Sequence, residues 1–456
     1  MTTDGSTPPH FFPSLGIGAT APAPHEKYRR RSADVETESV VSHSELMTSL
    51  EAMEQLGVKR QTLYAYVSRG LIRTAHAPGA SANLYFREDV EAVGLRGRLK
   101  GALPSPAERA LKWGGSPVLE SAITRLTSDG PQYRGLSVLE LATSHCSFER
   151  CAELLWTSKL PVDEPRWSLP RASAEFKQLA TGIAAIARRN RPLPLLVLAI
   201  ESYGASLGDG WTEREEAPAH VAQQLIAVLA AAFGLLRANP RFELPNAPSR
   251  ISELLLRSAG AHPSDEAVQA VDAALVLCAD HELATATFVT RISASVGANL
   301  LSSVTGALSS FEGLLVAEAS ENLLRGAGDV SRYIETLAHW QADGKTLPGY
   351  SHPAYLVGDP RGRFLMDMAR SLDAAAGRAS RFVDWINQAS RALSIAPNVG
   401  LGLLAMCDAL ALPSGTAGAL LALSRTAGWI AHAFEQRESG YIIRPRSRFV
   451  EDDDSS

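Results

Sequence analysis

The chain has 456 residues, 45% hydrophobic and 20% charged, with 44 basic and 49 acidic side chains and a net charge of −5. That length accommodates two or three domains and a large core, and the mild acidity excludes a global field drawing the chain to nucleic acid or an anionic membrane. Four scattered cysteines, Cys146, Cys151, Cys278 and Cys407, are too few for a disulfide framework and predict a reduced, cytoplasmic protein.

Residues 1–43 mix Pro, Ser, Thr, Gly and charges without periodicity and predict a disordered arm, in which Arg29-Arg30-Arg31 is a solvated basic cluster. The first residues lack the basic and then apolar regions of a signal peptide. From 44 to 101 the pattern changes. Leu46, Leu50, Met53 and Leu56 recur at helical spacing and Gly57 supplies the stop. A second helix from about Lys59 through Val67 buries Leu63 and Val67 and closes at Gly70. Leu71-Ile72-Arg73 reads as a short strand, Ala77 to Ala80 as a turn, and Tyr85-Phe86 as a second strand, before a third helix with Val90, Val93 and Leu95.

Helix, turn, helix and wing describe a winged helix-turn-helix. Leu56-Gly57-Val58, with the run from Leu63 through Arg69-Gly70-Leu71-Ile72, resembles the MerR-type DNA-binding domain. The resemblance implies that Lys59, Arg60, Gln61 and Thr62, opening the second helix, reach base edges in a major groove. Two features point the other way. The segment's balance is only two positive charges, and Ser81-Ala82-Asn83-Leu84 stand before Tyr85 where that family carries Arg. The alternative is a helix-turn-helix kept as a packing or partner module.

A Pro/Gly-containing linker over 102–117 leads into a long domain, 118–450, and residues 451–456 form a mobile acidic tail. The longest apolar stretch, Leu225 to Leu236, is shorter than the roughly 18 residues of a membrane span and predicts a core helix. Beyond Pro165 the pattern is almost entirely helical, as over Val221–Leu236 and Thr285–Leu301, with small residues such as Ser293, Gly297 and Gly306 allowing close helix approach. Cys146 and Cys151, on one predicted helix beside His145, lack the second pair a zinc site needs, so no metal is expected. There is neither a Gly-rich phosphate loop nor a Gly-x-Ser-x-Gly elbow.

Five landmarks in this domain carry the function. They are Tyr133-Arg134-Gly135, Asp280-His281-Glu282, Gly349-Tyr350-Ser351-His352 with Asp359-Pro360-Arg361, Pro397-Asn398-Val399-Gly400, and Ser424 to His432. In this order and spacing the chain resembles the citrate synthase family. The fold expected is therefore mainly α: a two-domain helical fold, its small domain inserted at roughly 315–400, preceded by the small winged helix-turn-helix.

The resemblance implies condensation of an acyl-CoA with a 2-oxo acid, acetyl-CoA being a co-substrate and no resident cofactor being needed. It implies that His281 contacts oxaloacetate or a similar dicarboxylate and that His352 polarises the ketone. Arg361, Arg425 and Arg444 hold the carboxylates, as guanidinium forks do well, with Arg444 offered across a dimer interface. Two positions depart. Gly400 stands where the family has its catalytic Asp, and Val316 where it has its first catalytic His. Neither can move a proton. Cys278, Glu318, Ser320 and Pro353 also differ from the family pattern. Asp359, Glu318 and Asp408 are the carboxylates near enough in sequence to be weighed as a substitute base.

Three functions follow from this: an acyltransferase of impaired activity, a metabolite-sensing subunit paired with an active paralogue, or a DNA-binding regulator whose large domain dimerises and holds an effector. No membrane association is expected.

Overall fold

The computed structural model describes residues 46–56, 58–68, 72–76, 83–87, 89–91, 93, 119–170, 172–187, 192–208, 217–350, 352, 354–355, 358–375 and 381–445. The predicted arm, linker and acidic tail lie outside these residues, as do Arg69-Gly70-Leu71, Ser81-Ala82 and Leu95. The chain divides into two compact units, Met1–Ser105 and Pro106–Ser456.

In the first unit, β1 (Leu46–Met47) leads into α1 (Ser49–Leu56), followed by α2 (Arg60–Ser68), β2 (Thr74–His76) and β3 (Asn83–Phe86). The strands form an antiparallel sheet in the order β1-β3-β2. A capping box starts α1: Thr48 Oγ1 accepts from the Glu51 amide at 3.3 Å, and Glu51 accepts from the Thr48 amide at 2.6 Å. Met47, Ala52, Leu63, Ile72, Tyr85, Val90 and Val93 close a small core.

Three details differ from the sequence expectation. Leu46 lies in a strand rather than a helix, Leu50 is 70% exposed, and the first wing strand falls at 74–76 rather than 71–73. The capping box explains the first two, because it starts the helix at Ser49 and turns Leu50 outward.

The second unit opens with an antiparallel sheet, β4 (Thr124–Thr127), β5 (Gly130–Tyr133) and β6 (Leu136–Ser137). Helices follow: α3 (Val138–Thr143), α4 (Phe148–Thr157), α5 (Ala174–Ile186), α6 (Pro192–Ser206), α7 (Pro218–Ala231), α8 (Ile251–Ala259), α9 (Asp265–Cys278), α10 (Thr285–Ser295) and α11 (Leu300–Ser309). They continue with α12 (Glu312–Gly326), α13 (Val330–Ala342), α14 (Pro360–Ala375), α15 (Arg381–Leu393), α16 (Val399–Ala409) and α17 (Thr416–Ser439).

The helix Pro218–Leu236 is long and apolar enough to cross a membrane, yet 89% of it is buried inside the protein. The expected single helix over Thr285–Leu301 is two. Gly297, at φ +81°, breaks it, and Asn299 recaps α11 through a 2.8 Å bond from the Ser302 amide. Cys146 and Cys151 do not share a helix, since Cys146 sits in the turn before α4.

Helix α17 is buried along most of its length and packs on α4, α9, α10, α11, α12 and α16. It is buried on all sides, so that its polar residues Ser424, Arg425, Thr426 and His432 lie inside the core with the apolar ones. Its small residues let neighbours come close. At Gly428 a Cβ would collide with the Asp280 carboxylate, and the Gly428 amide instead donates to Ala279 O at 3.0 Å. Ser424 Oγ donates to Leu275 O at 2.5 Å. Helix α17 is thus clamped against the C-terminal end of α9, where Asp280-His281-Glu282 begins.

Candidate active site

Four of the predicted residues come together where three chain segments meet. His281 leaves the end of α9 on a turn in which Glu282 takes φ +56°. The turn is held from two sides. The Asp280 amide donates to Tyr133 Oη at 3.0 Å, and Asp280 Oδ2 accepts the Glu282 amide at 3.0 Å. Behind it, His432 Nε2 lies 3.4 Å from Asp280 Oδ2, while His432 Nδ1 accepts from Arg291 Nε at 3.0 Å. Arg291 also pairs with Glu435 and Gln436. Tyr133, His432 and Arg291 escaped the sequence reading as site supports. The Tyr-Arg-Gly motif was the available signal for the first.

His352 sits on the loop that begins at Gly349. Gly349 has φ +81°, and a Cβ there would lie 2.6 Å from Leu401 Cγ and 3.0 Å from Ser320 Oγ. Glycine alone allows this approach. The Asn398 amide donates to Gly349 O at 2.9 Å, which ties the His352 loop to the start of α16. The Ala354 amide donates to His352 Nδ1 at 3.1 Å. Nδ1 is therefore the acceptor, and the neutral ring carries its proton on Nε2, the tautomer that can donate to a ligand carbonyl. The His281 and His352 rings meet edge to face at 4.9 Å, and Tyr355 stands 4.9 Å from His352.

Arg361, at the start of α14, is 1% exposed. Its Nε and Nη2 bind Asp359 at 3.0 and 2.8 Å, and Asp359 Oδ2 also accepts the Val399 amide at 3.1 Å. Asp359 is therefore a structural counter-ion, not a free base. Burial raises its pKa but Arg361 outweighs that, and the net shift is downward. Asp408 lies near the far end of α16, 3.7 Å from Arg325, so it too fails as a substitute base. Glu318 points elsewhere, lining a small crevice with Glu321 and Ser414.

Arg425 is 8% exposed on α17. Buried polar atoms without a partner concentrate here: Arg425 Nε and Nη1, Arg361 Nη1, His281 Nε2 and Tyr355 Oη. Groups this well buried ordinarily find partners. A cluster of donors left over, with one guanidinium lacking a carboxylate, has the chemistry of an anion receptor.

Two further positions singled out in the sequence are Gly400 and Val316. Gly400 is in the first turn of α16, its amide donating to Asn398 Oδ1 at 2.9 Å, and a Cβ there would lie 3.1 Å from the same oxygen, close enough that Asn398 must shift by a few tenths of an ångström. Val316, on α12, is 43% exposed one turn before Ser320. Arg444 does not join the cluster in its own chain. It is exposed in the segment after α17, next to Ile443, whose amide donates to Ser295 Oγ at 3.1 Å.

The family model described as citrate synthase, C-terminal domain, matches residues 112–446, well over half of the chain. The chain belongs to the citrate synthase family. Similar proteins include a citrate synthase of Haloferax volcanii, 29% identical over 74% of this chain and 94% of its own. Citrate synthase 2 of Bacillus subtilis is 27% identical over 72% and 92%, and 2-methylcitrate synthase 2 of Corynebacterium glutamicum 24% identical over 70% and 88%. Among solved structures, the citrate synthase of Thermoplasma acidophilum, in ternary complex with carboxymethyl coenzyme A and oxaloacetate, superposes with a TM-score of 0.64 at 22% identity, covering 75% of this chain and 95% of that one. The citrate synthase fold of the second unit accounts for its mainly α architecture.

Electrostatics give this family member a pH dependence. Burial, then the fields of Arg361, Arg425 and His352, hold His281 well below the usual 6.5. Burial and Arg361 bring His352 down to about 4. Unfolded histidines bind protons from about 6.5 downward, so the unfolded state gains protons first and stability falls as pH drops from 6.5 toward 4. His352 alone should cost on the order of 2 kcal/mol at pH 5. Urea denaturation at pH 7 and pH 5 should show this loss, and His281→Asn with His352→Asn should reduce it. Equal losses in both proteins would contradict neutral histidines here.

Proposed function

We propose that the second unit is a citrate synthase-type receptor for oxaloacetate or a similar dicarboxylate, with condensation of acetyl-CoA weak or lost. The observation that carries this reading is the cluster of buried, unpartnered donors on Arg425, Arg361, His281 and Tyr355, in a chain with glycine at 400 and valine at 316. His281, His352, Arg361 and Arg425 offer donors to the substrate carboxylates and ketone, and Arg444 would reach a partner subunit's cleft in a homodimer. Withdrawing the weakly acidic methyl proton of a thioester needs a positioned base together with a donor to the thioester oxygen. Positions 400 and 316 supply neither.

The protein then acts as a metabolite-sensing subunit, alone or paired with an active paralogue that carries both groups. Co-purification with such a paralogue, and a change in the paralogue's turnover on mixing, test the pairing. A paralogue whose rate and elution are unaltered would remove it.

A second reading concerns the first unit, as a winged helix-turn-helix that contacts DNA. It is supported by Lys59, Arg60 and Gln61 standing exposed at the start of α2 while Leu63 is buried beneath them. Binding should be weak and salt-sensitive, because few phosphates are neutralised. Full-length protein should be retained on duplex DNA at low salt, and Arg60→Ala with Lys59→Ala should release it. Retention unchanged by both substitutions would reassign α2 to protein contacts.

A further inference from the structure

The turn that presents His281 is strained and is held from outside the donor cluster. Glu282 takes φ +56°, a left-handed conformation that a residue other than glycine adopts at a cost. The Asp280 side chain compensates: its Oδ2 accepts the Glu282 amide at 3.0 Å and closes the turn around His281. Asp280 is wholly buried. Burial alone would raise its pKa, but His432 and then Arg425 outweigh that, and the net shift is downward, so the carboxylate remains an acceptor.

Arg291, on α10, decides what His432 offers that carboxylate. Its Nε donates to His432 Nδ1 at 3.0 Å, and a guanidinium can only donate. Nδ1 is therefore the acceptor, and the neutral ring carries its proton on Nε2, which stands 3.4 Å from Asp280 Oδ2. In the other tautomer a lone pair would face the carboxylate. Arg291 cannot swing away, because its remaining nitrogens are taken, Nη1 by Gln436 Oε1 at 3.2 Å and Nη2 by Glu435. Both acceptors are anchored in turn. Glu435 holds the Ala122 amide at 2.9 Å, and Gln436 Nε2 donates to Ser439 Oγ and Tyr441 O at 2.9 and 3.2 Å. Arg291, His432 and Asp280 thus form a buried chain with one direction of donation, ending on the oxygen that closes the turn.

We propose that Arg291 is a positioning residue for His281: by fixing the His432 tautomer it holds the Asp280 carboxylate where it closes the His281 turn. The consequence for ligand binding rests on the dicarboxylate receptor proposed above, whereas the hold on the turn does not. Groups behind a ligand-binding side chain act in this way generally, since they set the orientation of what they hold.

The test compares full-length parent protein with Arg291→Lys, His432→Leu and His432→Gln, by oxaloacetate titration and by amide hydrogen exchange without ligand. Lysine keeps a charge for Glu435 but not the fork that reaches His432. Glutamine can accept from Arg291 and donate to Asp280, whereas leucine can do neither. Arg291→Lys and His432→Leu should each speed exchange over residues 280–284 about tenfold, with α7 exchanging as in the parent. Both should bind oxaloacetate about tenfold more weakly, the usual scale for losing an orienting partner. His432→Gln should stay near the parent in both measurements. Should the leucine variant not fold, the lysine and glutamine variants decide the matter. Parent-like exchange over 280–284 in Arg291→Lys would overturn the proposal, as would faster exchange spread evenly over the second unit. Loss of protection and affinity in His432→Gln would overturn it too. A parent that binds no oxaloacetate would overturn the receptor instead, and exchange over 280–284 would still judge the hold on the turn.

Discussion

Purified protein supplied with acetyl-CoA and oxaloacetate should release CoA at least about a thousandfold more slowly than a citrate synthase carrying Asp and His at the positions of Gly400 and Val316. Loss of a general base costs about 10²–10⁴ in rate and loss of an oxyanion donor about 10²–10³. The carboxylates that could stand in are engaged elsewhere: Asp359 with Arg361 and Asp408 with Arg325. Reversal should also be possible. A Cβ at Gly400 would meet Asn398 Oδ1 at 3.1 Å, which a small shift of that side chain relieves, and a carboxylate in the first turn of α16 is favoured by the helix dipole. Val316 is 43% exposed and can be enlarged without disturbing the core. Gly400→Asp with Val316→His should therefore raise the rate of thiol release by more than the product of the single gains, since both groups act on one enolisation. Normal turnover by the unmodified protein would refute the proposed impairment. A double variant as slow as the parent would mean that the cleft has lost its catalytic geometry.

Oxaloacetate should nevertheless stabilise the protein. Ligand bound to the folded state alone adds about 2.7 kcal/mol at one hundred times its dissociation constant, enough to move the melting temperature by several degrees. Arg425→Ala should remove most of that shift. Arg425 is the guanidinium of the cluster with no carboxylate of its own, whereas Arg361 is already engaged by Asp359. Truncation leaves a substrate carboxylate desolvated and unpaired. His352→Asn should weaken binding less, because it removes one donor and no full charge. A melting temperature indifferent to millimolar oxaloacetate, citrate and methylcitrate would retire the sensing function and leave the domain as a scaffold.

Much of this site could be read from the chain because its motifs are short and local. Asp280-His281, Gly349 to His352 and Asp359 to Arg361 each place a charged or polar side chain within a few residues of a helix end or tight turn, whereas Ser424-Arg425 lies midway along α17. Each glycine beside them marks a close approach visible in sequence, as Gly349 against Leu401 and Gly428 against Asp280. Periodicity likewise exposed the helical character and the buried Val221–Leu236 segment. It overran where a single glycine ended a helix, at Gly297, and where a capping box fixed a helix start, at Thr48. In both places one residue's backbone preference outweighed a longer apolar repeat.

The sequence by itself determined which groups are candidates for the proposed site, His281, His352, Arg361 and Arg425, and that positions 400 and 316 hold glycine and valine. Only the tertiary structure decided which of those groups are free. Asp359 is a candidate substitute base from the sequence, but folding gives it to Arg361 and the Val399 amide. Arg425, otherwise one more arginine on a long helix, keeps two unpartnered nitrogens in the core. The physical reason is that partner choice is a matter of long-range contact. Hydrogen bonds between residues as far apart as Asp280 and His432 are set by helix packing, to which local composition is blind.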